Sequence, residues 1–569
     1  MKLQFFGTAA TPRLTIAIGV AIVSLLIISV SAYGWVSTHR SMLLLTRNRP
    51  EPPATALFVS RTAPMAISLL ANLDDLANLN RLAIPRSQQR QAATAITAWK
   101  QQIGDRLHLD YPREIAPWLG EEITLAITDL DVDKLPRNGA QPGYLAILSS
   151  RNQSSSSKIQ AWWDRQVTAK RLTFESYQGI KLAYNRRDRL ASAIVSDLNA
   201  RQYVLFANHP QVLRAAINQI QTPYLSLLDN PDYQQVVAAN SHHKVGIGYA
   251  RLPDLSPWLG DSAGARYSLA GINIGVDPQG LIADLSLYPT PSQDLVNPPS
   301  TPAPPKSIEA LNYLPRQSTI AIAGTDLSQW RQQLTTILPA FKQLDPQIER
   351  SLVSIDKQLD LQLAEDIFSW ATGEYALAAI PNRDGKTTDW VFIAERTQPE
   401  RGDAAIAHFD ELASVAGYQV GLLPWQAQQV IGWTKLVTET TSNTAQLIAK
   451  VAGVHTTIAD EYTILASSVS AMDRTLQAMS ASKDNDPNHH LSILDSDRYH
   501  QGTNLITATE TGYLYGNWQT ISLLLPKQLL AHPLVKLVND TILAGMPNLS
   551  VSSSTAAGVQ LVTILVQVD

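Results

Sequence analysis

The chain has 569 residues, of which 45% are hydrophobic and 17% charged, a composition typical of a globular protein of about two to four domains. Its formal net charge of −4 argues against a nucleic-acid-binding protein, which usually carries a basic patch, so no nucleic-acid partner is predicted. Because the chain contains no cysteine, disulfide frameworks, thiolate zinc sites and cysteine nucleophiles are excluded.

The N-terminal part predicts one membrane-spanning helix at Leu14–Val36. This segment contains no charged side chain, and a helix of its length covers roughly 34 Å at about 1.5 Å per residue, enough to cross a bilayer. Arg13 and Arg40 flank the segment, and Tyr33 and Trp35 stand where interfacial aromatic residues are expected. The alternative is a cleaved signal peptide, although the apolar run exceeds the roughly 7–15 residues of a signal core.

This segment predicts a single-pass membrane protein. The short tail 1–13 is expected in the cytoplasm, so that the bulk of the chain lies in the periplasm or a thylakoid lumen. Positive charges are nearly balanced across the span, which leaves the opposite orientation open. Residues 37–53 are expected to form a stalk, because its closely spaced prolines favour an extended conformation.

The rest of the chain contains two related stretches of sequence. Each has a Leu-x-Leu pair followed by an acidic residue, an isoleucine, a tryptophan, a glycine and a glutamate, beginning at Leu107 and at Leu359. A second shared stretch occupies residues 226–233 in the first copy and 492–499 in the second. The unit is far longer than a solenoid repeat, so the sequence predicts two related domains in tandem.

Proline density sets the predicted boundaries between these units. A proline-rich stretch separates the two copies and favours an extended spacer. The predicted boundaries are 54–288 for the first repeat domain, 289–306 for the linker and 307–569 for the second repeat domain.

Each copy mixes helices and strands. Helical spacing of apolar residues predicts one helix ending near Leu107 and another ending near Leu359. Strands often follow strands directly, so the predicted class is α+β: two tandem domains, each a mainly antiparallel sheet with helices packed on it, after one N-terminal transmembrane helix. Apolar or alternating runs predict strands at 123–127, 144–148, 203–206, 244–249, 281–288, 390–394, 462–465 and 560–568.

These motifs resemble a family found largely in cyanobacteria and known only as domain of unknown function 3352. The resemblance is carried by the N-terminal span, by residues 107–121 and 359–374, and by residues 226–233. It extends over nearly the whole chain, from about Ala54 to Asp569. The resemblance implies a membrane-anchored protein of the cell envelope or thylakoid, and it supplies no activity and no catalytic residues.

Four residues of the repeated motif are candidates for a ligand cleft. Glu121 and Glu374 each follow the motif's glycine, and two carboxylates could perform acid–base chemistry if they converged on one cleft. The alternative is that each glutamate begins a strand or closes a turn. Trp118 and Trp370 could line a ligand groove or could anchor a helix end to its own core.

Other motifs predict neither a metal site nor a cofactor. Asp129, Asp131 and Asp133 have the spacing that opens an EF-hand loop, but Lys134 stands where glycine is needed and Ala140 where a bidentate carboxylate belongs. The complete phosphate-loop and Gly-x-Ser-x-Gly patterns are missing from the sequence. A serine–histidine–aspartate site assembled from distant segments stays open.

The sequence therefore favours a membrane-anchored extracytoplasmic binding or scaffolding protein over an enzyme. Its expected partners are the membrane, through Leu14–Val36, and another envelope or thylakoid protein or a lipid or glycan ligand. Two similar domains would offer two related surfaces and a cleft between them. The alternative is an envelope hydrolase or a lipid- or glycan-modifying enzyme with its site between the domains.

Overall fold

The computed structural model describes two long sets of residues, one in each half of the chain. The first set is 52–70, 116–135, 139–151, 156–170, 172–185, 190–197, 200–239, 243–256, 267–277 and 280–290. The second set is 308–327, 370–382, 387–425, 428–441, 444–484, 491–503, 506, 512–518, 520–521, 548–556 and 558–567.

Three features predicted from the sequence fall outside these residues: the membrane span 14–36 and the helices that end near Leu107 and Leu359. Within the described residues, no helix combines the length and the apolar character that crossing a membrane requires.

Twenty strands dominate the described structure. In the first half they are β1 Met65–Leu69, β2 Leu119–Asp129, β3 Gly143–Ser150, β4 Thr173–Tyr177, β5 Ile180–Asn185, β6 Leu190–Ser196, β7 Gln202–Ala207, β8 His243–Arg251, β9 Tyr267–Asp277 and β10 Gly280–Pro289. In the second half they are β11 Ile320–Gly324, β12 Tyr375–Pro381, β13 Thr388–Glu395, β14 Gln419–Trp425, β15 Gln428–Thr441, β16 Thr444–Ile458, β17 Tyr462–Ala466, β18 Gly512–Asn517, β19 Asn548–Ala556 and β20 Val559–Gln567.

Six α-helices and several short 3-10 helices are described beside the strands. The α-helices are α1 Ser156–Lys170, α2 Pro210–Gln221, α3 Pro231–Ala238, α4 Pro399–Val415, α5 Val469–Asp484 and α6 Asp497–Thr503. The 3-10 helices are Ala54–Phe58, Pro223–Leu225, Leu227–Asp229, Glu309–Tyr313 and Ile493–Asp495. Prolines occupy the first turn of α2, α3 and α4, where the missing amide proton costs no hydrogen bond.

All twenty strands belong to one antiparallel sheet. From one edge to the other, the hydrogen-bonded order is β4-β5-β6-β7-β3-β2-β1-β8-β9-β10-β20-β19-β18-β11-β12-β13-β17-β16-β15-β14. The second half of this order mirrors the first, strand for strand. The ten strands of each copy are therefore joined in the same way.

The predicted fold class is wrong. The sequence predicts two α+β domains, each with its own sheet and held apart by a proline-rich linker, after a transmembrane helix. Instead, β10 of the first copy pairs with β20 of the second along eight residue pairs, from Gly280–Gln567 to Leu287–Gln560, and this makes one continuous sheet. Pro289, the first proline of the predicted linker, is the last residue of β10, after a register shift that follows Tyr288. Residues 291–306 of the linker lie outside the described residues.

The sheet has two differently covered faces. On the face that we call the inner face, α2 packs with the strands of the first copy through Leu213 and Ile217, and α5 packs with those of the second through Met472 and Leu476. On the opposite face, which we call the outer face, α1 packs through Trp163 and α4 through Phe409. The two largest hydrophobic cores are thus on the inner face, one in each copy.

Candidate functional site

Glu374 is buried and holds the start of a short helix. Its Oε2 atom accepts hydrogen bonds from the backbone N–H groups of Glu309 at 2.8 Å and Ala310 at 3.4 Å, which begin the 3-10 helix Glu309–Tyr313. Its own backbone N–H donates to Glu395 at 2.8 Å. The carboxylate thus satisfies backbone donors that would otherwise be buried without partners.

In the first copy, the equivalent residue is Glu122 and not Glu121. Met65 and Ile320 begin the equivalent strands β1 and β11, and they pair with Ile127 and Ala379, respectively. Glu122 lies five residues before Ile127, as Glu374 lies five residues before Ala379. Glu122 is buried and accepts a hydrogen bond from the N–H of Thr55, in the matching 3-10 helix, at 3.3 Å. Glu121 is exposed, because neighbouring residues of a strand point to opposite faces.

A tyrosine accompanies each buried glutamate. Tyr462 donates from its hydroxyl to Glu374 at 3.5 Å, and its ring meets that of Tyr313 with centroids 5.0 Å apart. In the first copy, Tyr203 meets Phe58 with centroids 4.8 Å apart. Burial, supplemented by nearby carboxylates, raises the pKa of Tyr203 and Tyr462 well above the usual tyrosine value. Both phenols are therefore held neutral as part of the core.

Trp118 and Trp370 are core residues of their own copies. They are 1% and 4% exposed, respectively. Trp118 packs in one cluster with Trp163 of α1, and Trp370 packs in another cluster with Phe392, at a centroid distance of 6.1 Å. The four residues predicted for a cleft are therefore divided between the cores and surfaces of the two copies, and the structure does not bring them together.

The contact between the copies is a strand junction with polar side chains at its centre. Asp284 of β10 lies directly opposite Thr563 of β20, and the Thr563 hydroxyl donates to the Asp284 carboxylate at 2.7 Å. Nearby, Tyr267 donates to Gln560 across the junction at 2.5 Å. Asp284 bonds with Thr563 on the inner face and Tyr267 with Gln560 on the opposite face, so each pair satisfies itself across the junction and the four side chains do not form one cluster.

A row of polar side chains crosses the inner face at this point. Strand pairing aligns five residues from five adjacent strands: Asn273, Asp284, Thr563, Ser552 and Tyr513. Asn273 also donates to the carbonyl of Val236 in α3 at 2.9 Å. Lys244 donates to the carbonyl of Val237; burial lowers the pKa of Lys244, and Asp284 partly opposes that effect.

This polar row is not among the features predicted from the sequence. Strands 281–288 and 560–568 are predicted correctly as the closing strands of the copies, but their role is recognised only from pairing. A polar residue inside an otherwise apolar closing strand is the available signal, since Asp284 and Thr563 interrupt runs of leucine, isoleucine and valine. Among the described residues, no group of histidines and carboxylates is arranged to hold a metal ion.

The second copy carries an additional two-stranded arm. In the first copy, the paired residues Ala183 and Ser192 are separated by eight residues of the chain. In the second copy, the equivalent paired residues Ile431 and His455 are separated by 23 residues, fifteen more than in the first copy. The described part of the arm, residues 434–441 and 444–451, extends past the end of β14 on one side and past the end of β17 on the other.

The base of the arm is fixed by a histidine–aspartate–tryptophan cluster. Asp410 of α4 accepts a hydrogen bond from Trp433 at 2.7 Å and lies 3.0 Å from Nε2 of His455. Burial lowers the pKa of His455, and Asp410 opposes this effect. A Cβ atom on Gly453 would stand 2.7 Å from the Trp433 ring, so a glycine is needed where the arm leaves the sheet.

Exposed apolar side chains concentrate at this end of the sheet. Leu436 is 62% and Leu447 66% exposed, and both lie on the same side of the arm. Of the twelve large hydrophobic residues exposed in the described part of the chain, six belong to what we call the outer-end group: Val415, Val420, Leu422, Leu436, Leu447 and Ile448.

Comparison with known families matches residues 17–568 to the model of a family described as "Protein of unknown function (DUF3352)". The chain belongs to this family. No curated protein matches the sequence.

Two crystal forms of TP0453 resemble the fold weakly. Forms III and I match with a TM-score of 0.24 each and with 7% and 6% sequence identity; both cover 43% of this chain, and they cover 83% and 81% of TP0453, respectively. A TM-score this low does not establish a shared fold.

Proposed function

We propose that this DUF3352 protein is a binding or scaffolding protein that holds a protein partner at the outer-end group of its second copy. The observation that carries the proposal is the concentration of exposed large apolar residues there, six of twelve in the described residues. Strand alternation places Leu436 and Leu447 on one side of the sheet and Val420, Leu422 and Ile448 on the other, so a partner bound along the strand edge would reach both sides. Exposed apolar side chains concentrated in one region mark interaction sites more often than scattered ones do.

Unpaired strand edges support a protein partner over a lipid. Among the described strands, β14 pairs only with β15, and the arm strands pair only with each other beyond Thr434 and Val451. Their outward N–H and C=O groups can be satisfied by an added strand, as in recognition by strand addition. The exposed leucines beside this edge would then select the partner's side chains.

The location predicted from the sequence completes the proposal. The partner would be an envelope or thylakoid protein if the span 14–36 anchors the chain and the bulk faces the periplasm or a thylakoid lumen. Protease added to intact spheroplasts should then digest the bulk of the chain if it faces the periplasm, and protease added to intact thylakoids should spare it if it faces the lumen. A bulk that is spared in spheroplasts and digested on intact thylakoids would contradict this location.

Site-specific crosslinking tests the binding surface. A photo-activated amino acid replaces Leu436 or Leu447 in the full-length protein in its native membranes, and Leu135 serves as the control because it is 56% exposed in the first copy. We expect one protein to crosslink from both arm positions and not from residue 135. Identical products from all three positions, or products containing only lipid, would overturn the proposal of a protein partner at this surface.

Charge substitutions provide the second arm of the test. For this test the photo-activated amino acid replaces Leu422. Leu436→Asp and Leu447→Asp should each reduce the amount of crosslinked partner that is recovered by about tenfold. Leu135→Asp should leave recovery unchanged. Equal recovery with all three variants would show that the arm does not contribute to binding.

A further inference from the structure

The junction between the copies is organised about a local two-fold axis. Tyr249 of β8 pairs with Gly271 of β9, which in turn pairs with Ser286 of β10. In the second copy, the equivalent Tyr515 of β18 pairs with Ser550 of β19, which in turn pairs with Leu565 of β20. Ser286 and Leu565 are therefore equivalent positions. Asp284 and Thr563, each two residues earlier, are therefore equivalent positions, and they pair with each other. An interface that pairs a position with its own equivalent has the geometry of a symmetric dimer.

This geometry means that other pairings of the same strands are available. Without its partner, β10 would have an unpaired edge beyond β9, and β20 would have one beyond β19. Such an edge can accept any strand of matching register, including the same strand of a second molecule. In a junction of two first copies, Asp284 would face Asp284, whereas in a junction of two second copies, Thr563 would face Thr563.

We propose that the Asp284–Thr563 pair makes this junction selective: β10 accepts β20 and rejects the β10 of a second copy of the chain. Asp284 is 7% exposed, so two such carboxylates directly opposite each other would repel in a place that water scarcely reaches. In the observed junction, Thr563 instead donates its hydroxyl proton to the single carboxylate.

Lys244 does not remove this selectivity. Lys244 acts on Asp284 from β8, which is separated from β10 by β9, and its Nζ atom is already engaged by the carbonyl of Val237. Two molecules that exchanged partners would have to form a first–first junction for every second–second junction. The cost of the Asp284–Asp284 contact therefore applies to every exchange that forms like junctions, whereas an exchange that forms first–second junctions between two molecules keeps the Asp284–Thr563 pair and avoids this cost.

The test keeps all residues of the protein and cuts only the linker. A protease site is introduced between residues 291 and 307 of the full-length chain, two differently tagged preparations are cut, mixed and allowed to exchange halves in mild urea, and native mass spectrometry identifies which halves pair. We expect first–second pairs to exceed first–first pairs by at least about tenfold. First–first pairs that form as readily as first–second pairs would overturn the proposal.

Two variants and one control sharpen the result. Thr563→Asp should weaken first–second pairing about tenfold or more, whereas Thr563→Val, which removes the hydroxyl without adding charge, should weaken it much less. Asp284→Thr should permit first–first pairing. If Thr563→Asp fails to fold by far-UV circular dichroism, the Asp284→Thr result decides alone: unchanged first–first pairing would refute the role of Asp284.

Discussion

At the scale of single residues, one buried carboxylate fixes the entry of the chain into each copy. Glu374 and Glu122 each accept hydrogen bonds from the backbone of a 3-10 helix that lies more than sixty residues earlier in the sequence. Because the helix is short, it has few hydrogen bonds of its own, and the carboxylate holds its first turn against the sheet. These contacts describe a structural role for both residues.

Removing this carboxylate should destabilise the protein. Glu374→Ala leaves two backbone donors without their acceptor, so we expect the free energy of unfolding to fall by about 1–3 kcal/mol. The exposed Glu121→Ala should change it by less than about 0.5 kcal/mol. Urea unfolding followed by tryptophan fluorescence measures both, and equal effects of the two variants would contradict the assignment of Glu122 as the equivalent residue.

Aligning the two copies on the glycine of the motif selects Glu121 instead of Glu122. Both are glutamates, and aligning the glycines Gly120 and Gly373 moves the match by one residue. In a strand, a shift of one residue transfers a side chain to the other face, so this small error exchanges an exposed carboxylate for a buried one. The correct alignment follows from the constant spacing of four residues between Trp118 and Glu122 and between Trp370 and Glu374.

His455 should make stability depend on pH. Burial lowers the pKa of His455 in the folded protein, with Asp410 opposing, so the unfolded chain binds more protons as the pH falls below about 6.5. The free energy of unfolding should therefore decrease toward acid, by at most about 1.4 kcal/mol per pH unit for this one group. Urea midpoints at pH 7.5 and 5.5 measure the effect.

A matched substitution isolates that histidine. His455→Gln should flatten the dependence between the two pH values, whereas His408→Gln, an exposed change on the same helix as Asp410, should leave it in place. A slope that persists in His455→Gln would assign the pH dependence to other groups.

At the scale of elements, the same helix–sheet contact has its glycine on the strand in the first copy and on the helix in the second. In the first copy, Gly271 of β9 lies under Val236 of α3, and a Cβ atom on the glycine would stand 2.6 Å from the valine. In the second copy, the strand carries Ser550 and the helix carries Gly502, whose added Cβ would lie 3.1 Å from the serine hydroxyl. A small residue on one element thus accompanies a larger one on the other.

This exchange predicts a compensating pair of substitutions. Gly271→Ala should lower the free energy of unfolding by about 1–3 kcal/mol through overpacking against Val236. Val236→Ala should itself lower the free energy of unfolding, because it removes buried apolar groups. The double variant should nevertheless lose at least about 0.5 kcal/mol less free energy of unfolding than the two single variants lose together. Strictly additive energies in urea unfolding would show that the two residues do not restrict each other.

Local patterns predicted many elements because each strand carries its own signal. The runs at 123–127, 144–148, 203–206 and 390–394 all lie inside observed strands. Which strand lies beside which depends on contacts between residues far apart in sequence, as the pairing of β10 with β20 shows. The proline-rich linker is a local signal too, and it predicted separation because it carries no information about the strands on either side of it.

At the scale of the whole molecule, the junction should be as firm as the interior of either copy. Both edges of β10 and β20 are hydrogen-bonded, whereas among the described strands β4 pairs only with β5 and β14 only with β15. Amides of β10 and β20 should therefore exchange hydrogen as slowly as those of β9 and β19, and more slowly than those of β4 and β14. Exchange in β10 as fast as in β4, measured by mass spectrometry, would mean that the copies separate readily.

The two-fold junction also limits how the family's architecture can grow. A solenoid can lengthen indefinitely, because each unit offers a free surface to the next. Here the edges of β10 and β20 that join the copies are fully occupied by each other, as in any interface that pairs a patch with its own equivalent. A third unit could not be appended at that place, so growth must use another edge of the sheet or occur by insertion within a unit. The arm of the second copy is one such insertion.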